Sequence, residues 1–476
     1  MLNTSKDRIV AYVSARSIGG QSLFSPSAKL SSEHVASYFS EKAVVRGARS
    51  KLESMGFTIE KVSDLCVRIS APASTFRQKM GVKFEKDTSD MFLPTRESSF
   101  NALDLDSELL EGAVFPQPIQ LHGKKRTVKR AATRARNTKS SKKTSATSSA
   151  SISPTPPASS YFRLEVPHDV SRIMRADAVH ASGNFGQGVK AAMIDSGFDW
   201  SHPYFKGKGY DLNASAPNNE DDNGHGTGES ANLLAIAPKV KLYGLKMDDA
   251  VAAFQEARDT LKVQLISNSW GSRAQTDGPF STWDPYWSLV LAEISLCVQS
   301  GIVVLFSGGN GGQSVTASSP DVISVGGTYC DGNGSLFATE YASSFKSFRF
   351  PGRQVPDVCG LCGNPPKAIY IALPIPPGCE IDKDLAGGTW PNGDETKQKD
   401  GWSAFSGTSA ACPMVAGVVA LMLSQNSTAT PTAIRQKLEA SCQDVIHGKS
   451  SMGDRATVGR DLATGFGLVD ATAACS

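Results

Sequence analysis

The sequence predicts an α/β protein whose main part is a large, mostly parallel β-sheet covered by helices on both faces. Continuously apolar runs such as VKAAMID, LISNSW and GIVVLFSGG recur after residue 160. Helical stretches such as DDAVAAFQEARDTL and SLVLAEISLCVQS lie between them. Strands that are apolar on both faces and alternate with helices are typical of a parallel sheet buried between two helical layers. We therefore assign residues 161–476 to one large domain.

A smaller α+β domain is predicted over residues 1–122. RIVAYV and DLCVRISAP alternate like strands, VVRGARSKLESMGF and ASTFRQKMG have helical spacing, and VKFEK follows as a third strand. This order is typical of a split-βαβ, ferredoxin-like domain. Because no group of catalytic residue types occurs here, we expect the chemistry in the larger domain.

Residues 123–160 have the composition of a disordered linker. Between Gly123 and Lys143 the chain has ten Lys or Arg and no acidic residue, and a Ser/Thr/Pro-rich stretch follows. Such a segment cannot bury a core. It could be a solvated tether, a protease-sensitive hinge or a patch that binds nucleic acid or another polyanion. The net charge of the whole chain, +3, implies no particular partner.

The sequence shows no targeting or membrane-spanning segment that we recognise. Its first residues lack an apolar core of signal-peptide length, so we expect a cytoplasmic location or export by a non-Sec route. Nine cysteines leave at least one thiol without an internal partner. Cys359 and Cys362 are spaced for zinc or redox work, with Cys379 downstream, but a second pair or a nearby histidine is missing. Isolated thiols or a single loop disulfide are therefore favoured over zinc.

Four residues follow strands or begin a helix in a way that predicts a site. Asp195 ends the run AAMID, His225 follows the glycine turn of NGHGT, and Asn310 follows LFSGG. Ser409 begins an apolar helix predicted over Ala410–Leu423, which is too short for a membrane span. Because ligands bind at the carboxyl ends of parallel strands, we expect these four side chains to lie together.

Together the four residues supply the parts of an acyl-transfer reaction. Such a reaction needs a nucleophile, a base, a carboxylate that orients the base, and a hydrogen-bond donor for the oxyanion. Ser409, His225, Asp195 and Asn310 provide one of each. A serine at a helix N-terminus also gains from the helix dipole and the free backbone N–H groups.

The motifs DSG, HGT and GTSAACPMVAG resemble the three catalytic motifs of the subtilisin-like serine peptidases, which have the same chain order. The resemblance implies a serine endopeptidase that hydrolyses peptide bonds through an acyl-enzyme. It implies that Asp195, His225 and Ser409 form the triad and that Asn310 completes the oxyanion hole. It also implies a substrate pocket whose two walls are formed by Ser269, Trp270 and Gly271 and by Ser307, Gly308 and Gly309.

Other segments resemble the sedolisins, acid-active peptidases of the same fold. LESMGFTIEKVSDLCVRIS is similar to their propeptide, GRQVPDVCG to the stretch before their serine, and CQDVIHG with VGRDLATGFG to their calcium loop. The resemblance implies an inhibitory, chaperone-like propeptide. It also implies a structural Ca²⁺ bound by the carboxylates of Asp444 and Asp461 and the carbonyls of Val445, Thr457 and Gly459. The acidic run NNEDDN before His225 is either a second ion site or a solvated loop.

The residue types at the catalytic positions separate the two resemblances. Sedolisins have glutamate where this chain has His225 and aspartate where it has Asn310. Histidine predicts activity near neutrality, since its reference pKa is about 6.5. Glu229 matches the spacing of a second sedolisin acid. It either lies near the imidazole and raises the pKa of His225, or it points to water from the helix surface.

The sequence therefore predicts a subtilisin-like serine endopeptidase made as a self-processing zymogen, monomeric and acting on polypeptides. Its own propeptide would be its inhibitor. The alternatives are a sedolisin-like acid peptidase and a catalytically silent binding protein on the peptidase fold. Cys412, one turn after Ser409, is expected to be a small core residue or a point of sensitivity to thiol reagents.

Overall fold

The computed structural model describes residues 8–25, 27–86, 92–94, 108–117, 119–121, 152–214, 220–271, 285–366 and 368–476. Most of the predicted basic linker lies outside these residues. Within them the chain forms a small N-terminal domain and a large α/β domain.

The N-terminal domain contains a four-stranded antiparallel sheet packed on two helices, and three further short strands lie outside this sheet. Its strands are β1 (Arg8–Ala15), β2 (Thr58–Val62), β3 (Val67–Pro72), β4 (Phe84–Lys86), β5 (Phe92–Pro94), β6 (Leu110–Val114) and β7 (Gln120–Leu121), and its helices are α1 (Lys42–Ser54) and α2 (Ala73–Met80). A 3₁₀ turn spans Val35–Tyr38. The sheet order is β2-β3-β1-β6. The β1-α1-β2-β3-α2-β6 order is that of a split-βαβ domain, and β2 is a strand that was not predicted from the sequence.

The last predicted strand of this domain, VKFEK, is present as β4, but it lies outside the four-stranded sheet. VKFEK was expected to complete the sheet, but β4 pairs only with β5 among the described residues, and β6 occupies the sheet edge beside β1. The physical reason lies in the aromatic core. The Phe84 ring packs on Phe76 and Phe115 at centroid distances of 5.8 and 5.2 Å, which places β4 over the helical side of the domain.

The large domain contains the predicted sheet. Its strands are β8 (Leu164–Glu165), β9 (Lys190–Asp195), β10 (Asp211–Ala214), β11 (Lys241–Lys246), β12 (Leu265–Asn268), β13 (Trp270–Gly271), β14 (Val303–Ser307), β15 (Ile323–Cys330), β16 (Leu336–Ala338), β17 (Phe345–Lys346), β18 (Gln354–Val355), β19 (Val358–Leu361), β20 (Ile371–Pro374), β21 (Trp402–Phe405), β22 (Cys442–Gln443) and β23 (Leu468–Val469). Ten of them form one sheet in the order β10-β11-β9-β12-β14-β15-β19-β23-β22, with β16 beside β15. The pairs from β10 to β23 along this path are parallel, as predicted.

Helices cover both faces of this sheet. They are α3 (His168–Ile173), α4 (Ala176–Ala181), α5 (His225–Ile236), α6 (Ala250–Gln255), α7 (Pro285–Gln299), α8 (Glu380–Leu385), α9 (Thr408–Gln425), α10 (Pro431–Ala440) and α11 (Ala471–Ala474). The two faces of strand β9 explain why the sequence of this strand is continuously apolar. Ala191 and Met193 pack in the cluster with α5 and α9, whereas Ala192 and Ile194 pack in the cluster with α6 and α7. Both faces of the strand are therefore core.

The N-terminal domain packs on the α6 and α7 face. Tyr12 and Leu23 belong to the same buried cluster as Phe254 and Leu289. The Tyr12 hydroxyl also donates to the Asp249 carboxylate at 2.7 Å. The interface thus combines apolar burial with a directed hydrogen bond.

The start of the large domain lies earlier than predicted. The linker was expected to extend to residue 160, but residues 152–160 lie against the large domain. Trp402 Nε1 donates to the carbonyl of Ser153 at 3.0 Å, and the hydroxyl of Ser160 donates to Glu395 at 2.6 Å. The backbone carbonyl of Ser153 is paired with the buried Trp402 indole, which explains why this Ser/Pro-rich stretch is ordered despite its composition.

Helix α9 is the core helix on which the serine lies. It spans 18 residues, and among the described residues it alone has the length and hydropathy that a membrane span requires. However, 89% of its apolar window is buried inside the protein. The predicted core helix is confirmed, with two residues added at each end.

Candidate active site

The structure brings Asp195 and His225 into direct contact. Asp195 is the last residue of β9, and His225 is the first residue of α5. Asp195 Oδ1 lies 2.7 Å from His225 Nδ1, and both side chains are nearly inaccessible to solvent. A buried carboxylate on Nδ1 fixes the ring orientation and leaves Nε2 for proton transfer.

The turn before α5 depends on a buried carboxylate that the sequence did not single out. Asp221 Oδ1 accepts hydrogen bonds from the Ser196 hydroxyl and the Gly224 amide, and Asp221 Oδ2 accepts from the amide and hydroxyl of Thr227. The run NNEDDN was expected to be a solvated loop or an ion site. Neither expectation holds for Asp221, because protein groups donate hydrogen bonds to both of its carboxylate oxygens.

The glycines around His225 are required by close approach. Gly224 has φ +92°, which β-carbon sterics disfavour for other residues. A Cβ atom on Gly226 would lie 2.2 Å from the carbonyl oxygen of Gly197. Helix α5 can therefore begin directly against the end of β9.

Asn310 and Ser409 converge on one small space. A Cβ atom placed on Gly407 would lie 2.8 Å from Asn310 Nδ2 and 3.0 Å from Ser409 Oγ. Asn310 Oδ1 accepts hydrogen bonds from the amide and hydroxyl of Thr408, both at 3.0 Å, which turns the NH₂ group toward this space. The geometry places an amide donor beside the serine hydroxyl, as the sequence predicted.

Glu229 also faces the site. It lies one turn after His225, it is completely buried, and its Oε1 is 3.6 Å from His225 Nε2. Its Oε2 accepts a hydrogen bond from Asn232 Nδ2 at 2.8 Å. His225 Nε2 has no hydrogen-bond partner among the described residues. Of the two readings of Glu229, the one that places it near the imidazole is confirmed, and the water-facing one is wrong.

The charges around His225 shift both groups. Burial by itself lowers the pKa of His225, but Asp195, its hydrogen bond and the Glu229 and Asp221 carboxylates outweigh burial and raise it to about 9. Burial raises the pKa of Glu229 to about 7, although attraction to His225, the hydrogen bond from Asn232 and the nearby Ser409 hydroxyl oppose the rise. The two groups therefore titrate as a coupled pair.

The predicted pocket walls lie at the ends of neighbouring strands. Residues Ser269–Gly271 follow β12, and Ser307–Gly309 follow or end β14, which pairs with β12. The Ser269 hydroxyl donates to the carbonyl of Ser409 at 2.8 Å, which fixes one wall beside the nucleophile position. The indole of Trp270 is fully buried against Phe306. Only its backbone can line the pocket.

The chain itself occupies the edge of one wall. Strand β7 pairs with β13 in antiparallel register, with Leu121 opposite Trp270 and Gln120 opposite Gly271. Ile119 and Leu121 pack against the cluster that contains Trp270 and Phe306. The end of the N-terminal domain therefore lies where an extended peptide would add to this strand.

Comparisons with known proteins agree with this geometry. The sequence model of the Subtilase family, peptidase S8, matches residues 186–467. This range is more than half of the chain, and the four predicted catalytic positions lie within it. The chain is a subtilase. The family and fold are those of serine-type endopeptidases with a large, mostly parallel sheet.

This subtilase is similar to several subtilisins. It is 29% identical over 299 residues to Subtilisin E of Bacillus subtilis (strain 168), which covers 59% of this chain and 66% of that protein. It is 30% identical over 295 residues to a subtilisin of Bacillus pumilus, which covers 58% of this chain and 90% of that protein. The chain thus spans slightly less than two thirds of the length of Subtilisin E.

A solved structure shares the fold. The subtilase superposes on fervidolysin from Fervidobacterium pennivorans, a keratinolytic enzyme related to subtilisin, with a TM-score of 0.58. The match covers 100% of this chain and 62% of the other, at 16% identity. At this identity the comparison supports the fold alone.

The nine cysteines of the subtilase are all free thiols, so the expected isolated thiols are confirmed and the loop disulfide is absent. The described residues contain no group of three or more His, Cys, Asp or Glu that could hold a metal. Cys362 Sγ donates instead to the carbonyl of Gly407 at 2.8 Å. Burial raises the pKa of Cys412 to about 12, so it is the predicted core residue in an unreactive, protonated form.

The predicted calcium loop folds on itself. The Gly459 amide donates to Asp444 Oδ2 at 2.8 Å, and the Thr457 amide donates to Asp461 Oδ2 at 2.6 Å. Both carboxylates thus approach the segment that contains two of the predicted carbonyl ligands. Two carboxylates and backbone carbonyls are donors that suit a hard cation, so the residues present fit calcium.

Proposed function

We propose that this subtilase is a serine endopeptidase in which Ser409 attacks the peptide carbonyl and His225 carries the proton. The observation that carries the proposal is the 2.7 Å contact between Asp195 Oδ1 and His225 Nδ1. It gives the imidazole the orientation and the negative partner that a serine base needs.

In the proposed reaction the Ser409 Oγ–H bond breaks as Oγ bonds to the substrate carbonyl carbon. The proton moves to His225 Nε2, and the negative charge develops on the carbonyl oxygen beside Asn310 Nδ2. His225 then gives the proton to the leaving amine, and water hydrolyses the acyl-enzyme by the reverse sequence. Asp195 stays ionised and stabilises the imidazolium.

The proposal includes synthesis as a zymogen. The N-terminal domain buries Tyr12 and Leu23 against the peptidase helices, and β7 occupies the edge of the substrate strand β13. This arrangement supports the role of residues 1–122 as an inhibitor that cleavage in the following linker releases. The linker itself lies outside the described residues.

A serine-directed fluorophosphonate probe tests the proposed nucleophile. We expect one covalent adduct per active chain, located by peptide mapping on Ser409 and absent from Ser409→Ala. A labelled S409A variant, or an adduct on a different serine, would contradict the assignment. Because β7 lies on the substrate strand, labelling should be compared before and after removal of the N-terminal domain.

We further propose that the C-terminal loop binds one structural Ca²⁺. Asp444 and Asp461 would supply carboxylate oxygens, and Val445, Thr457 and Gly459 would supply carbonyls. The position of both carboxylates against the segment that contains Thr457 and Gly459 supports this role, and Ca²⁺ would compete with the amide hydrogen bonds that these carboxylates accept.

Calcium removal is expected to lower Tm by several degrees. A ligand at 100-fold its Kd stabilises the folded state by about 2.7 kcal/mol, and chelation removes that contribution. Differential scanning fluorimetry with EDTA, then with calcium or magnesium restored, measures the effect. The Asp444→Asn/Asp461→Asn variant is the matched control, and its Tm should be the same with and without calcium. An equal calcium dependence in this variant would place the cation elsewhere.

A further inference from the structure

The site contains two buried carboxylates on opposite sides of one imidazole. Asp195 lies on the Nδ1 side at 2.7 Å, and Glu229 lies on the Nε2 side at 3.6 Å. The proposed mechanism uses Asp195 but assigns no role to Glu229. Burial of a carboxylate is costly unless it has a partner, so the position of Glu229 calls for a physical reason.

The contacts of Glu229 leave one oxygen directed at the ring. Its Oε2 is held by Asn232, whereas its Oε1 has no hydrogen-bond partner in the described part of the chain. His225 is the only cationic group that forms an ion pair with it there. The carboxylate is therefore favoured as an ion when the imidazole is protonated.

The separation of 3.6 Å determines what Glu229 can do. It exceeds the range of a normal N–H···O hydrogen bond, about 2.7–3.2 Å, so Glu229 does not take the Nε2 proton as a hydrogen-bond acceptor. It remains well within the distance at which an opposite charge stabilises the imidazolium. Glu229 therefore leaves Nε2 without a hydrogen bond among the described residues.

We propose that Glu229 is a positioning residue that stabilises the protonated form of His225 from the Nε2 side and thereby confines the peptidase to alkaline conditions. The inference rests on the proposed roles of His225 and Ser409. It changes the expectation of activity near neutrality, because His225 must lose its proton before it can accept one from Ser409.

The other titratable groups near the pair do not reverse this effect. Asp221, in the loop before α5, and Asp195, on β9, both add negative charge that favours the imidazolium. Cys362, after β19, and Cys412, on α9, are buried, and burial raises the pKa of both thiols far enough to keep them neutral. The described surroundings therefore contain no cation that would cancel Glu229.

The direction of the expected shift follows from the charge. Ionised Glu229 raises the pKa of His225, so its removal lowers that pKa and extends activity to lower pH. Glu229→Gln keeps the size of the side chain and can still hydrogen-bond Asn232. We expect the acid limb of its kcat/KM profile to move to lower pH by about one unit or more. The two profiles should meet at the acid end, where Glu229 of the wild type is protonated.

The pH profiles are measured on the processed wild type and on two charge variants. Glu380→Gln is the matched control. Glu380 is an exposed acid at the beginning of α8, and it accepts a hydrogen bond from Asn223 in the loop before α5. It removes the same net charge and should shift the acid limb much less. NMR titration of the His225 ring in the Ser409→Ala background gives the pKa change without turnover.

Each result decides the inference. An unchanged acid limb in E229Q, or a limb that moves to higher pH, would overturn it. So would loss of the alkaline plateau, since that result would make Glu229 an essential proton acceptor. If E229Q does not fold, Asn232→Ala replaces it and should give a smaller shift in the same direction. Inactive wild type at every pH would instead contradict the proposed function.

Discussion

Replacement of Ser409 by alanine is expected to lower kcat/KM on the order of 10⁶-fold and to leave the chain uncut. The loss is that of the nucleophile itself, and removal of the catalytic serine of a subtilisin has an effect of this size. Ser409 is buried at the beginning of α9, so a methyl group fits its place without a new cavity. Stability should therefore change little.

Processing and peptidase activity are measured together by mass spectrometry and with a peptide substrate. Wild type and S409A are incubated at about pH 7.5 and about pH 10, on either side of the raised pKa of His225, which is about 9. Ser424→Ala is the matched control, because it lies at the other end of the same helix and only its bond to the Gln187 carbonyl is lost.

The outcome separates three possibilities. Cleavage of wild type and S424A but not S409A supports self-processing. Equal cleavage of all three chains would show that another protease cuts the linker, and peptidase activity of the purified product would then decide the nucleophile. Full activity of S409A on the peptide would contradict the proposed mechanism.

Replacement of Asn310 by leucine is expected to lower kcat by about 10²- to 10³-fold with little change in KM. The donor is useful when negative charge develops on the carbonyl oxygen, so its loss affects the transition state more than substrate binding. This corresponds to about 2.7–4 kcal/mol of transition-state stabilisation. Steady-state kinetics at saturating and limiting substrate separate the two parameters.

A structural side effect of this variant needs its own control. Asn310 Oδ1 also accepts from the amide and hydroxyl of Thr408, so leucine disturbs the turn before Ser409. Thr408→Val removes the hydroxyl contact but keeps the Asn310 amide donor, and we expect a clearly smaller loss of kcat. If T408V loses as much as N310L, the effect belongs to the turn and not to the oxyanion donor.

Much of the large domain could be predicted from local pattern. The strands that contain VKAAMID and GIVVLFSGG appeared as expected, since a strand buried on both faces has a distinctive apolar run. The N-terminal domain was harder. Its closing strand, Leu110–Val114, is short, and only the aromatic packing of Phe84 excludes VKFEK from that place.

Some features of the site were likewise predictable from local sequence, and others were not. Asp195, His225, Asn310 and Ser409 were predicted because glycine-rich motifs at strand and helix ends have a recognisable sequence. The buried orientation of Asp221 and the inward indole of Trp270 were not predicted. Both depend on neighbours distant in sequence, the first on Ser196 and the second on Phe306.

The sequence by itself predicted the chemistry that we propose for this subtilase, which uses a serine, a histidine, a carboxylate and an amide. Only the tertiary structure decided whether Glu229 also faces the histidine, and from which side. Helical spacing allows Glu229 to face either the imidazole or solvent. Packing of α5 against the sheet and α9 buries it 3.6 Å from Nε2, and burial is what makes its charge strong enough to matter.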